Sequence, residues 1–107
     1  MFYVNDQKEI VRCAHVGCHP DNGVAYVSYQ LLGKLNPDSY VLSVAEFTGR
    51  YQDVMLGYLV PGAVFESEKA TYRIVNPSPE LTSVRKEPGD SVQSISTELI
   101  LANWKRK

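Results

Sequence analysis

The stretch IVRCAHVGCHPDNGVAYVSYQLL, residues 10–32, decides the fold class of this chain. Two runs rich in β-branched residues flank Pro20-Asp21-Asn22-Gly23. Ile10 to Val16 reads as a strand, because Val and Ile suit a pleated, half-buried surface. Strand spacing places Ile10, Arg12, Ala14 and Val16 on one face and Val11, Cys13 and His15 on the other. Asn and Gly tolerate positive φ, so Asp-Asn-Gly after a proline marks a turn. Val24 to Leu32 is the returning strand. Tyr26 and Tyr29 point to opposite faces of it, so at most one faces the core. The other is available to a binding surface or to a cross-strand packing pair.

The same grammar continues outward. Gly33 to Ser39 reads as a loop and Tyr40 to Val44 as a third strand. Ser43-Val44-Ala45-Glu46 has capping-box spacing, which predicts one helical turn over Ala45 to Thr48, stopped by Gly49. Val54 to Val60, Ala63 to Glu66, Thr71 to Val75 and Leu81 to Arg85 are strand-like, separated by Gly, Pro and Asn. From Val92 the alternation of Ile95, Thr97, Leu99 and Leu101 favours a strand, with a short helix capped by Ser96 as the alternative. No internal repeat is evident. Six to eight short strands with turns about every ten residues predict an all-β fold with a minor helix, a small barrel or sandwich.

A chain of 107 residues with 44% apolar and 21% charged residues suits one globular domain. We expect residues 1–107 to form it, with 52–107 completing the sheet begun by 8–51. The net charge of −1 disfavours nucleic acid as a partner, and the one basic run is Lys105-Arg106-Lys107. No apolar run approaches the roughly 20 residues that span a bilayer, so no membrane partner is expected. No leader pattern opens the chain, so the expected location is cytoplasmic, with both thiols reduced.

Both cysteines and both histidines lie within Cys13-Ala-His15-Val-Gly-Cys18-His19. Cysteine and histidine are zinc's preferred ligands, so a zinc site on Cys13, His15, Cys18 and His19 is one reading. The spacing opposes it, because structural zinc sites join pairs of ligands from separate elements. A reactive Cys18 thiol beside His19 is a second reading. The plainest is a packed Cys13 and a hydrogen-bonded His15, with no cofactor.

Residues 8–51 resemble a small uncharacterised domain family of bacteria and their phages. Its pattern runs A-x-H-S-E-T, then V-V-Y, then W-V-R-P-x-x-x-F. Ala14 and His15 answer its Ala and His, here adjacent where the pattern has one residue between them, Val27-Ser28-Tyr29 stands at its V-V-Y, and Tyr40-Val41 and Phe47 at its aromatic-Val and Phe. Val16-Gly17-Cys18 replaces Ser-Glu-Thr, and Leu42-Ser43 replaces Arg-Pro. The resemblance implies a small SH3-like β-barrel and no established activity.

These readings converge on a non-enzymatic binding module, a host-directed regulator or inhibitor in its phage version. His15, Tyr29, Tyr40 and Phe47 are its candidate binding residues. The expected partner is another protein or a small ligand, and a homodimer stays open. The alternatives are the metal- or thiol-dependent site and a nucleic-acid-binding barrel. No Walker loop, G-x-G-x-x-G or G-x-S-x-G motif is present.

Overall fold

The computed structural model describes residues 1–33 and 38–107. Part of the expected loop Gly33 to Ser39 therefore lies outside the described residues. The described fold is mostly β, with two short helices and two five-stranded antiparallel sheets. The chain divides into two compact units, Met1–Asp53 and Val54–Lys107.

The first unit holds β1 (Phe2–Val4), β2 (Ile10–Cys18), β3 (Ala25–Leu31), β4 (Ser39–Ser43), α1 (Val44–Arg50) and β5 (Gln52–Asp53). Its sheet order is β4-β3-β2-β1-β5. The hairpin expected from residues 10–32 is present. Gly23 has φ 68°, and Asn22 Oδ1 accepts from Val24 N at 2.9 Å, which closes the predicted turn. The capping box is also present, with Ser43 Oγ accepting from Glu46 N at 3.1 Å. The helix passes through Gly49 instead of stopping there and ends at Arg50. Its one buried residue, Phe47, joins Val11, Val27 and Tyr29 in the core.

The second unit opens with a 3-10 turn, Val54–Leu56. There follow β6 (Val64–Glu66), β7 (Thr71–Asn76), β8 (Leu81–Glu87), β9 (Val92–Ser96), α2 (Thr97–Asn103) and β10 (Lys105–Arg106). Its sheet order is β10-β6-β7-β8-β9. Residues 54–107 thus form a sheet of their own, and of the second half only Gln52–Asp53 joins the first sheet. Val54 to Val60 is no strand. Val54, Tyr58 and Leu59 are buried at helical rather than alternate spacing, and Tyr58 N and Leu59 N both donate to Val54 O. After Ser96 the helix prevails over the strand. Thr97, Ile100 and Leu101 form one buried stripe while Leu99 stays 54% exposed. The Thr97 hydroxyl bonds Thr82 Oγ1 at 2.8 Å and donates to Ser78 O at 2.6 Å, which satisfies both buried hydroxyls.

The two units share one plan, although no sequence repeat is evident. In each, four strands meander, a seven-residue helix follows the fourth, and the fifth returns beside the first. The register agrees position by position. Tyr3 opposes Val11 and Asp53 as Phe65 opposes Tyr72 and Arg106. Tyr29 lies between Cys13 and Tyr40 as Val84 lies between Ile74 and Gln93. Both second strands carry a β-bulge, one between Cys13 and His15 and one between Ile74 and Asn76. Both helices follow a serine, bury an apolar residue four positions on, and end at an aromatic C-cap whose N–H returns to that residue's carbonyl. These are Ser43, Phe47 and Tyr51 in one unit and Ser96, Ile100 and Trp104 in the other.

Candidate functional site

The bulge in β2 decides where the Cys/His window points. A straight strand sets Cys13 and His15 on one face. The bulge makes Cys13 oppose Tyr29 and His15 oppose the next residue, Ser28. Neighbouring residues on β3 face opposite ways, so Cys13 and His15 do too. Cys13 turns inward and packs on the core. His15 turns outward and is exposed.

Beyond the bulge, Gly17 opposes Tyr26. A Cβ on Gly17 would lie 2.9 Å from Tyr26 Oη and 3.1 Å from His15 Nε2. The Tyr26 ring therefore lies down across the glycine instead of standing off the sheet. It is flanked by His15, with ring centroids 6.0 Å apart, and by His19, at 5.0 Å. Three rings form an outward-facing row on the β2–β3 hairpin. Along the same face toward β1, Arg12 opposes Gln30, and its guanidinium lies 5.8 Å from the Phe2 ring centroid.

The four expected binding residues do not form one site. Tyr29 and Phe47 are core residues, 8% and 3% exposed. Their rings are 5.4 Å apart, and both touch Tyr51. Burial first, and then the neighbouring Tyr51 phenol, pushes the Tyr29 hydroxyl above its ordinary value of 10.0. Tyr40 stacks on Tyr29 at 5.7 Å and is 42% exposed at the edge strand β4. Only His15 belongs to the outward ring row.

The four Cys and His side chains of the window point in different directions. His15 and His19 flank Tyr26, Cys13 faces the core, and Cys18 pairs with Ala25, one position from Gly17 and on the other face. Among the described residues no group of three or more His, Cys, Asp or Glu is placed to hold a metal ion. Both cysteines are free thiols, and Cys18 is exposed.

Two polar arrangements lie away from the ring row. A cavity of about 410 Å³ lies between the β1–β2 turn, with Asn5, Asp6 and Glu9, and the end of α1, with Arg50 and Tyr51. The turn's polar groups serve the turn itself, since Asn5 Oδ1 accepts from Gln7 N and Glu9 N. In the second unit Arg73 Nε bonds Glu87 Oε1 at 2.5 Å, with Arg85 at 3.8 Å. The Arg73 hydrogen bond holds the Glu87 carboxyl below its ordinary value. Two guanidiniums around one carboxylate form a satisfied surface network on β7 and β8.

Tyr26 and Gly17 are the site residues that sequence reasoning undervalued. A glycine inside a strand signals close approach of another group, and that signal was present at Gly17. No family model, no curated protein and no solved structure matches this chain.

Proposed function

We propose that this chain is a non-enzymatic binding module made of two SH3-like barrel units, of bacterial or phage origin and cytoplasmic. Its reading surface is the outer face of the β2–β3 hairpin. The single observation that carries this reading is the Tyr26 ring laid across Gly17 between His15 and His19. Rings with polar edges give contact area at low entropic cost and suit interfaces. The strand order, with a helix before a fifth strand that returns to the first, supports the SH3-like reading. The resemblance of residues 8–51 supports the origin.

The surface favours a protein partner. Residues 13–33 hold one charged side chain, Asp21. Charge is depleted at the centre of protein interfaces, whereas phosphate backbones call for Lys and Arg. Immobilised protein challenged with bacterial lysate tests the proposal. The wild type retains a defined protein, and Tyr26→Ala and His15→Ala, folded as judged by circular dichroism, lose it. If both variants retain the same proteins as the wild type, this face is not the reading surface.

A further inference from the structure

Gly49 is a glycine that the fold does not require. It lies inside α1, where glycine favours a helix less than alanine does. Its φ is not positive, and a Cβ there would meet nothing within 4 Å. The second unit shows what the shared plan accepts at this point. Gly49 stands two residues after the buried Phe47, and Ala102 stands two residues after the buried Ile100, in a helix of the same length. What the glycine leaves bare is the helix side of the cavity of about 410 Å³ between α1 and the β1–β2 turn.

The turn side of this cavity is fixed in advance. Asn5 Oδ1 accepts from Gln7 N and Glu9 N, and Lys8 N donates to Asn5 O. Asn5 Nδ2 donates to one oxygen of the Glu9 carboxylate at 2.9 Å. None of these bonds uses the Asp6 carboxylate or the second oxygen of Glu9. Arg50 and Tyr51 line the helix side. Arg50 is tied loosely along its own helix, 3.7 Å from Glu46 with both side chains more than half exposed. The charged residues of the lining are therefore two carboxylates from the turn and one guanidinium from the helix. Lys8, in the turn's left-handed position, does not line the cavity.

We propose that this cavity binds a free basic amino acid, lysine or arginine. Such a ligand carries two cationic groups and one carboxylate, the complement of Asp6, Glu9 and Arg50. Its α-carboxylate pairs with the Arg50 guanidinium, whose planar fork suits a carboxylate. Its two cationic groups pair with Asp6 and Glu9. Tyr51, the one aromatic residue of the lining, covers the methylene stem. The volume falls within the range of small-molecule sites. The proposal rests on α1 and the β1–β2 turn and is independent of the ring row on the β2–β3 hairpin.

Amide chemical shifts of the full-length, isotope-labelled protein test it during titration with L-lysine and L-arginine. Both are expected to give saturable shifts confined to residues 5–9 and 49–51. Norleucine, without the side-chain ammonium, and cadaverine, without the carboxylate, should each bind about tenfold more weakly, as for the loss of one charge-assisted bond. Gly49→Leu, which fills the cavity and suits a helix, should abolish the shifts. Arg50→Met should weaken lysine binding about tenfold. Both variants should keep the wild-type circular dichroism spectrum, and Tyr26→Ala should bind lysine as the wild type does. Absence of saturable shifts with either amino acid overturns the proposal. So does binding that norleucine and cadaverine match, that survives Gly49→Leu and Arg50→Met undiminished, or that Tyr26→Ala removes.

Discussion

Gly17 shows how one residue type fixes a surface. Its backbone does not need positive φ, so alanine fits the chain there. What alanine does not fit is the phenol above it, 2.9 Å from the Cβ position. The end of the Tyr26 side chain is free to swing away, so Gly17→Ala should cost little stability, below about 1 kcal/mol. It should also lift Tyr26 from between the imidazoles. Nuclear Overhauser contacts between the Tyr26 ring and those of His15 and His19 are the measurement, and we expect them to vanish while the melting temperature barely moves. Retained contacts would mean that the ring does not rest on the glycine. At this scale the sequence was partly legible. The Asp-Asn-Gly turn and the Ser43 cap follow from short-range chemistry, and both are in place. The bulge was not legible, because nothing in Cys13-Ala14-His15 distinguishes a straight strand from one with an extra residue. That one residue sets Cys13 and His15, two residues of the alternative zinc reading, on opposite faces.

The helices show what patterning conveys at the scale of an element. Helix α1 was recognisable from its cap but not in length, since Phe47 packing carries it through Gly49. Helix α2 was ambiguous, because Ile95, Thr97, Leu99 and Leu101 alternate like a strand while Thr97, Ile100 and Leu101 form a helical stripe. Burial of Thr97 against Thr82 selects the helix. The caps differ correspondingly. The Ser43 hydroxyl accepts from Glu46 N, whereas the Ser96 side chain makes no cap bond. Ser43→Ala should therefore cost about 1 kcal/mol, and Ser96→Ala only a few tenths. Urea denaturation of the two variants measures this, and equal costs would contradict the account. Strands β1, β5 and β10 escaped detection because two or three residues carry no readable period. Tyr29 and Phe47, two of the candidate binding residues, lie in the core for a related reason. An aromatic side chain suits a core and an interface equally, and position in a motif does not separate the two.

At the scale of the molecule, the duplicated plan was hidden because few matching positions keep the same residue. Tyr3 answers Phe65, Phe47 answers Ile100 and Tyr51 answers Trp104, while the connection after the second strand differs by half its length. The same plan closes with two connection lengths, so the core of the first unit is complete without the arm over residues 16–26. The most direct test replaces residues 16–26 with the five residues Pro77–Leu81 in the full-length chain, followed by amide hydrogen exchange. We expect Val11, Val27, Tyr29 and Phe47 to keep their protection while partner retention is lost. Loss of protection across the first unit would show that the arm belongs to the fold and would contradict the claim.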